Sequence, residues 1–251
     1  MSRRIQFMCA EISDVTMQEA LDEVIRLADG HNDAFVVTPN VDHMVRLERD
    51  PRLREAYSQA ELVLADGQPL VWLSKLYRRP IREKVSGSDL FPLLCQRAAR
   101  EGKSIFIFGA AEGVAERAAH RLAEQYAGLN ICGTYAPPFG FENDEQQLAL
   151  SLEQIKKAAP DILIVCLGCP KQEYFISQHR HTLGVPVSLC LGSVADIAAG
   201  EITRAPRWMS RCGLEWFYRL CSDPKRLAKR YLRDDLRIIP MFFKYLRKNQ
   251  K

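Results

Sequence analysis

The residues able to do chemistry sit at the ends of short apolar runs. Asp66-Gly67 follows the run at 62–65, and no other carboxylate stands so directly at such an end. A carboxylate there can face a cleft and act as a general base. The same dipeptide also makes an ordinary turn or helix cap. Thr38-Pro39-Asn40 closes the run at 35–38 with the same two readings: a hydroxyl and an amide aimed at that cleft, or a strand end followed by a cap. Gly168-Cys-Pro-Lys-Gln-Glu173 follows a third run and places Pro170 well for a first helical position. Lys171 or Gln172 then stands within reach of phosphate or sugar. Gly109 and Gly192 end two further runs. Glycine there admits close approach of the backbone to a ligand, and a helix N-terminus behind such a turn attracts phosphate.

Other chemistries lack their signatures. Cys166 and Cys169 form a Cys-x-x-Cys, but Cys166 lies inside an apolar run and no second pair completes a zinc site. The eight cysteines are scattered and read as reduced core thiols. The five histidines (His31, His43, His120, His179 and His181) show no metal spacing. Neither Gly-x-Gly-x-x-Gly nor Gly-x-x-x-x-Gly-Lys-Ser/Thr is present, which argues against a nicotinamide enzyme and a P-loop ATPase. No metal and no cofactor are expected.

These residues need a frame. Runs at 35–38, 62–65, 104–108, 130–134, 162–167 and 187–191 are short and rich in Val, Ile, Leu and Phe, as strands buried on both faces are. Between them, helical stretches are expected at 17–28, 42–48, 69–76, 89–100, 114–125, 146–158 and 172–181. Helix-start chemistry such as Ser86-Gly-Ser-Asp and Asn143-Asp-Glu supports several of these. Alternating β and α elements predict an α/β fold, a mostly parallel sheet covered by helices. In such folds ligands bind beyond the carboxyl ends of the strands, where the residues above fall. The chain of 251 residues, 47% hydrophobic and 26% charged, suits a globular protein of one large or two small domains. Its longest uncharged stretches, such as 181–195, fall short of the roughly 18–20 apolar residues of a spanning helix. The first residues lack the apolar run of a signal peptide, so a cytosolic location is expected.

Charge divides the chain. Residues 1–200 carry 21 basic and 26 acidic side chains, net −5, whereas residues 201–251 carry 14 and 5, net +9. A basic tail on an acidic body points to a polyanion: nucleic acid, anionic lipid or a phosphorylated substrate. From Pro224 a helix would place Arg226, Lys229, Arg230, Arg233 and Arg237 on one stripe, with Leu227, Tyr231 and Ile238 on an adjacent one. Phe242 extends the apolar stripe if the helix survives Pro240. Such a helix could lie on an anionic bilayer, pack its apolar side on the body, or do both. A nucleic-acid-binding module remains the rival from another class, disfavoured by the acidic body.

Seven segments then occur in order: Thr38-Pro-Asn-Val, Leu64-Ala-Asp-Gly, Val85-Ser-Gly-Ser-Asp-Leu, Gly133-Thr-Tyr-Ala-Pro-Pro-Phe-Gly, Gly168-Cys-Pro-Lys-Gln-Glu, Gly192-Ser-Val-Ala-Asp, and Arg204-Ala-Pro-Arg-Trp followed by Gly213-Leu-Glu-Trp-Phe-Tyr-Arg. Over nearly its whole length the chain resembles the WecG/TagA/CpsF family of bacterial glycosyltransferases, glycosyltransferase family 26. The resemblance implies a Rossmann-like α/β core, taken as residues 1–200, with a helical C-terminal appendage at 201–251 that closes over the active site and helps membrane docking. It implies inverting, metal-independent transfer of a sugar, typically N-acetylmannosamine from its UDP form. The acceptor would be a sugar on undecaprenyl diphosphate at the inner face of the cytoplasmic membrane, in cell-surface polysaccharide synthesis. Donors such as UDP-glucose, UDP-glucuronate or GDP-mannose are the alternative within the family.

Carried onto this chain, Asp66 is the expected base, with Thr38 beside it as a catalytic polar residue. Asn40, Gly67, Gly109, Gln172, Gly192 and Asp196 are expected to contact substrate. Lys84 stands where the family has arginine, which loses bidentate geometry. Arg219, Arg226 and the Lys229/Arg230 pair correspond to appendage arginines that face the diphosphate. The expected partners are thus a nucleotide-sugar, a polyprenyl-diphosphate-linked acceptor and an anionic membrane surface, without nucleic acid; a homo-oligomer stays open.

Overall fold

The computed structural model describes residues 3–30 and 33–248, and His31 lies outside them. It opens with a hairpin, β1 (Arg4–Phe7) and β2 (Ala10–Ser13), followed by α1 (Met17–Ala28), β3 (Ala34–Val37), α2 (Val41–Leu47) and α3 (Pro51–Ser58). Next come β4 (Leu62–Val63), α4 (Gln68–Leu76), α5 (Gly87–Glu101), β5 (Ser104–Gly109), α6 (Val114–Gln125) and β6 (Asn130–Tyr135). Then follow α7 (Glu145–Ala158), β7 (Ile162–Cys166), α8 (Lys171–Leu183), β8 (Val187–Cys190) and α9 (Val194–Ala199). The C-terminal segment holds α10 (Arg207–Arg211), α11 (Glu215–Ser222), α12 (Pro224–Lys229) and α13 (Ile238–Lys248).

Six strands form one parallel sheet in the order β4-β3-β8-β7-β5-β6, the α/β architecture expected. Period-two alternation along each strand feeds two cores. Val36, Leu64, Ile107, Ile164 and Leu189 face α1, α5, α6 and α9. Phe35, Val37, Phe108, Val165 and Cys190 face the hairpin, α2, α3, α8 and α13. All six strands fall where the apolar runs place them, within a residue or two at each end. The run at 62–65 keeps only Leu62–Val63 in the formal ladder, yet the chain stays alongside β3: Leu64 N–H donates to Val37 O at 2.8 Å and Asp66 N–H to Pro39 O at 2.8 Å.

The C-terminal segment departs from the regular helix expected. After α12 the backbone widens into a π turn at Arg230–Asp234 and tightens into a 3₁₀ turn at Asp235–Arg237 before α13 begins. Pro240 supplies the reason: it has no N–H for the Leu236 carbonyl, and its ring crowds that group, so the preceding turns adjust. The helix does survive Pro240. The adjusted turns change the angular phase, so Arg230 and Arg233 do not share one stripe. Arg230 turns towards α2, where its Nη2 donates to Asn40 Oδ1 at 3.4 Å, while Arg233 is exposed.

The apolar side packs on the body. Ile238, Met241 and Phe242 are buried, and the Phe242 ring lies 6.1 Å from that of Tyr77, which meets Phe7 edge-on at 5.5 Å. Lys244 and Tyr245 both bind Glu48 at the end of α2, at 2.6 and 2.7 Å. Phe242→Ala should therefore cost about 3–5 kcal/mol in a urea titration, the range for truncating a buried Phe. A loss under about 1 kcal/mol would mean that α13 contributes nothing to the core. Among the described residues no helix is long and apolar enough to cross a membrane.

Candidate active site

A cleft of about 330 Å³ opens at the carboxyl ends of β3 and β4 and is roofed by the C-terminal segment. Its lining includes Asn40, Asp66, Gly67, Lys84, Arg219 and Arg230. The structure thus brings six of the expected site residues to one cavity.

Asp66 sits at the bottom, where the chain leaves β4. The turn requires Gly67, whose φ of +120° an L side chain rarely adopts. Burial raises the Asp66 carboxyl to about 6. The Arg219 guanidinium and Lys84 oppose that rise, and Glu215 and Asp89 add to it. A carboxyl so placed is ionised at neutral pH yet basic enough to accept a proton.

Asn40 caps α2, with its Oδ1 accepting from His43 N–H at 3.2 Å, and also receives Arg230. Arg230 Nε lies 3.6 Å from Asp42, which Arg46 also pairs at 3.0 Å. Lys84 pairs with Asp89 at 2.8 Å, and Ser86 Oγ and Arg204 bind the same carboxylate. Burial works against ionisation of Asp89, but these three partners outweigh it and hold the group down to about 2. Arg219 Nη2 donates to Glu215 Oε1 at 2.8 Å, one turn back on α11.

Other expected residues stand behind the lining. Thr38 is buried and donates its hydroxyl to Cys190 O at 3.1 Å, tying the ends of β3 and β8 together. Gln172 is 1% exposed, with its amide engaged at both ends: Oε1 accepts from Gly192 N–H at 3.0 Å and Nε2 donates to Glu173 Oε1 at 2.9 Å. At Gly109 a Cβ would come within 2.7 Å of Cys166 O, so close strand packing demands glycine there. Asp196 lies in α9. Lys171 pairs with Glu142 and lies over the Phe139 ring. Lys229 is exposed, and the side chain of Arg226 lies outside the described residues.

Sequence reasoning passed over several lining residues. Glu215 and Trp216 fall inside the Gly213-Leu-Glu-Trp segment, where the aromatic-acidic pairing was the available signal. Tyr231 and Asp235 reach the cleft only because of the π and 3₁₀ turns, which no spacing announces.

Comparison with known proteins fits this geometry. Residues 5–251 match the Glycosyl transferase WecG/TagA/CpsF family. The chain is 34% identical over 198 residues to the N-acetylglucosaminyldiphosphoundecaprenol N-acetyl-beta-D-mannosaminyltransferase of Bacillus spizizenii strain W23, covering 79% of this chain and 75% of that protein. It is also 34% identical over 193 residues to the enzyme of the same name from Bacillus subtilis strain 168, covering 77% and 73%. Motifs, fold and both relatives agree: the chain belongs to the WecG/TagA/CpsF family of glycosyl transferases.

Proposed function

We propose that this protein transfers N-acetylmannosamine from a UDP-linked donor to N-acetylglucosamine on undecaprenyl diphosphate, with inversion at the anomeric carbon. The observation that carries the reading is the cleft itself, where a carboxylate of raised basicity faces Arg219, Arg230 and Lys84. Asp66 takes the proton from an acceptor hydroxyl as its oxygen bonds to the anomeric carbon. The bond from that carbon to the donor diphosphate breaks on the opposite face, and UDP leaves with the electron pair. Arg219 receives the charge that develops on the leaving group through charge-assisted hydrogen bonds, while Arg230 and Lys84, each already paired with a carboxylate, add to the positive field around it. Thr38, Gln172 and Gly192 act one layer back, holding the ends of β3, α8 and β8 in register beneath the substrates. Asn40 shares this positioning work by tying Arg230 to the start of α2.

The acceptor is carried by a lipid, so the enzyme works at a membrane face. Exposed Trp208, Trp216, Phe217 and Leu236 on the C-terminal segment, with exposed Lys229 and Arg233, supply the apolar and cationic contacts an anionic surface takes up. The reading places the protein peripherally on the cytoplasmic side.

The test is a donor panel of UDP-N-acetylmannosamine, UDP-glucose, UDP-glucuronate and GDP-mannose against N-acetylglucosaminyl-diphospholipid, in buffer without added magnesium or manganese. Turnover with UDP-N-acetylmannosamine alone is the expected result. Preference for another donor, or strict dependence on magnesium, would overturn it. A pH profile gives a second check. Because Asp66 acts ionised and its carboxyl lies at about 6, kcat/KM should rise as pH climbs through 6 and then level off. A flat profile across that range would remove Asp66 from the base role.

A further inference from the structure

A second cluster of reactive side chains lies behind the cleft. His43 of α2, Cys169 just before α8 and Glu173 in the first turn of α8 bring one ligand-type atom each to within 4.8 Å of one another. His43 and Glu173 are buried and Cys169 is half-buried. Glu173 Oε2 is fully enclosed and meets no nitrogen or hydroxyl donor among the described residues; the Cys169 thiol, a weak donor, is the group beside this carboxylate, and the residue as a whole is 0% exposed. A buried carboxylate so weakly partnered is costly unless a cation or proton meets it.

The surroundings resemble those of a metal site. His43 Nδ1 lies 3.0 Å from the Tyr57 hydroxyl; in the tautomer that donates its N–H to that oxygen, Nε2 keeps a lone pair for a metal. The other oxygen of Glu173 is fixed by Gln172 Nε2 at 2.9 Å. Metal-binding histidines and carboxylates are characteristically oriented by such outer partners. Imidazole, thiolate and carboxylate together suit zinc, which binds such atoms at about 2.0–2.3 Å and so needs them roughly 3.3–3.8 Å apart. A contraction of at most about 1.0–1.5 Å, made by side-chain torsions, closes the site around an ion. We propose that His43, Cys169 and Glu173 form a buried zinc site joining α2 to α8. Binding displaces the thiol proton of Cys169 and leaves one coordination position for water. The ion would brace the two elements that carry Asn40 and Gln172. Being behind the lining, it would leave the diphosphate to the arginines.

The full-length protein can be titrated with Co²⁺ as a spectroscopic stand-in for zinc, independently of any transferase assay. One equivalent should produce a thiolate-to-cobalt charge-transfer band in the near ultraviolet, and one equivalent of Zn²⁺ should abolish it. The band should persist when the exposed thiols are removed by Cys212→Ser and Cys221→Ser, and disappear in Cys169→Ser. Tyr57→Phe, which removes only the outer partner of His43, should weaken affinity about 10–100-fold. If Cys169→Ser does not fold by circular dichroism, Glu173→Gln takes its place and should weaken binding at least as much. No saturable band in the wild-type protein, or a band that survives loss of Cys169 or is unmoved in Glu173→Gln, overturns the site and leaves a proton to neutralise Glu173.

Discussion

Asp66→Asn is expected to lower turnover by roughly 10²–10⁴ while leaving fold and donor affinity intact, the usual consequence of removing a general base. The substitution is nearly isosteric. The turn that presents residue 66 is held by backbone features it does not touch: the Asp66 N–H to Pro39 O bond, and the φ of +120° at Gly67. What changes is that an amide cannot accept the acceptor's proton. Loss of the negative charge also removes one of two carboxylates that compete for Arg219, Glu215 being the other, so the donor diphosphate should bind at least as well. Single-turnover rates and calorimetric donor binding separate the two effects. A variant with wild-type rates would return Asp66 to the role of a turn residue and move the base to Glu215 or Asp235, the other acids of the cleft.

Much of this frame is legible in the sequence, for an identifiable reason. The parallel strands are buried on both faces, so each appears as an unbroken apolar run, and the rule that ligands meet such sheets at strand ends leads directly to Asp66 and Asn40. The opening hairpin has no such signature. Its strands have four residues each, and its turn runs through Met8 with a φ of +51° rather than through a glycine or asparagine. Helix α3 does carry a local signature: Asp50 caps it by accepting from Leu53 N–H at 3.1 Å, and Pro51 follows as its first residue. The C-terminal basic stripe breaks between Arg230 and Arg233 because a constant 100° per residue does not hold across the π and 3₁₀ turns ahead of Pro240. Lys84, Ser86 and Asp89 are sequence neighbours, but no local pattern shows that Arg204, 115 residues further along, joins them on the same carboxylate. The same holds for His43 meeting Cys169 and Glu173.

Arg219→Ala is expected to cut turnover by about 10²–10³, comparable with removing a principal donor to developing negative charge in other enzymes. The other cations of the cleft are already committed. Lys84 is held by Asp89, whose carboxyl stays ionised down to about 2, and Arg230 is shared between Asn40 and Asp42. Arg219 hydrogen-bonds to Glu215, an i,i+4 partner, and faces Asp66 across the cleft, pairings that a more highly charged diphosphate can displace. Arg219→Lys should fall between wild type and alanine, since it keeps the charge but loses the planar fork that matches phosphate oxygens. Association with anionic liposomes should change little in either variant. Lys229 and Arg233 stay exposed, each contributing on the order of 1 kcal/mol near such a surface, and the exposed aromatics of α10 and α11 are untouched. Point substitution is the cleaner test than deleting residues 201–251, because that deletion also uncovers the core beneath Ile238, Met241 and Phe242. Its activity loss would mix unfolding with catalysis. If Arg219→Ala keeps full turnover, Arg230 and Lys84 must leave their partners to meet the leaving diphosphate, and Arg230→Ala becomes the variant in which the loss appears.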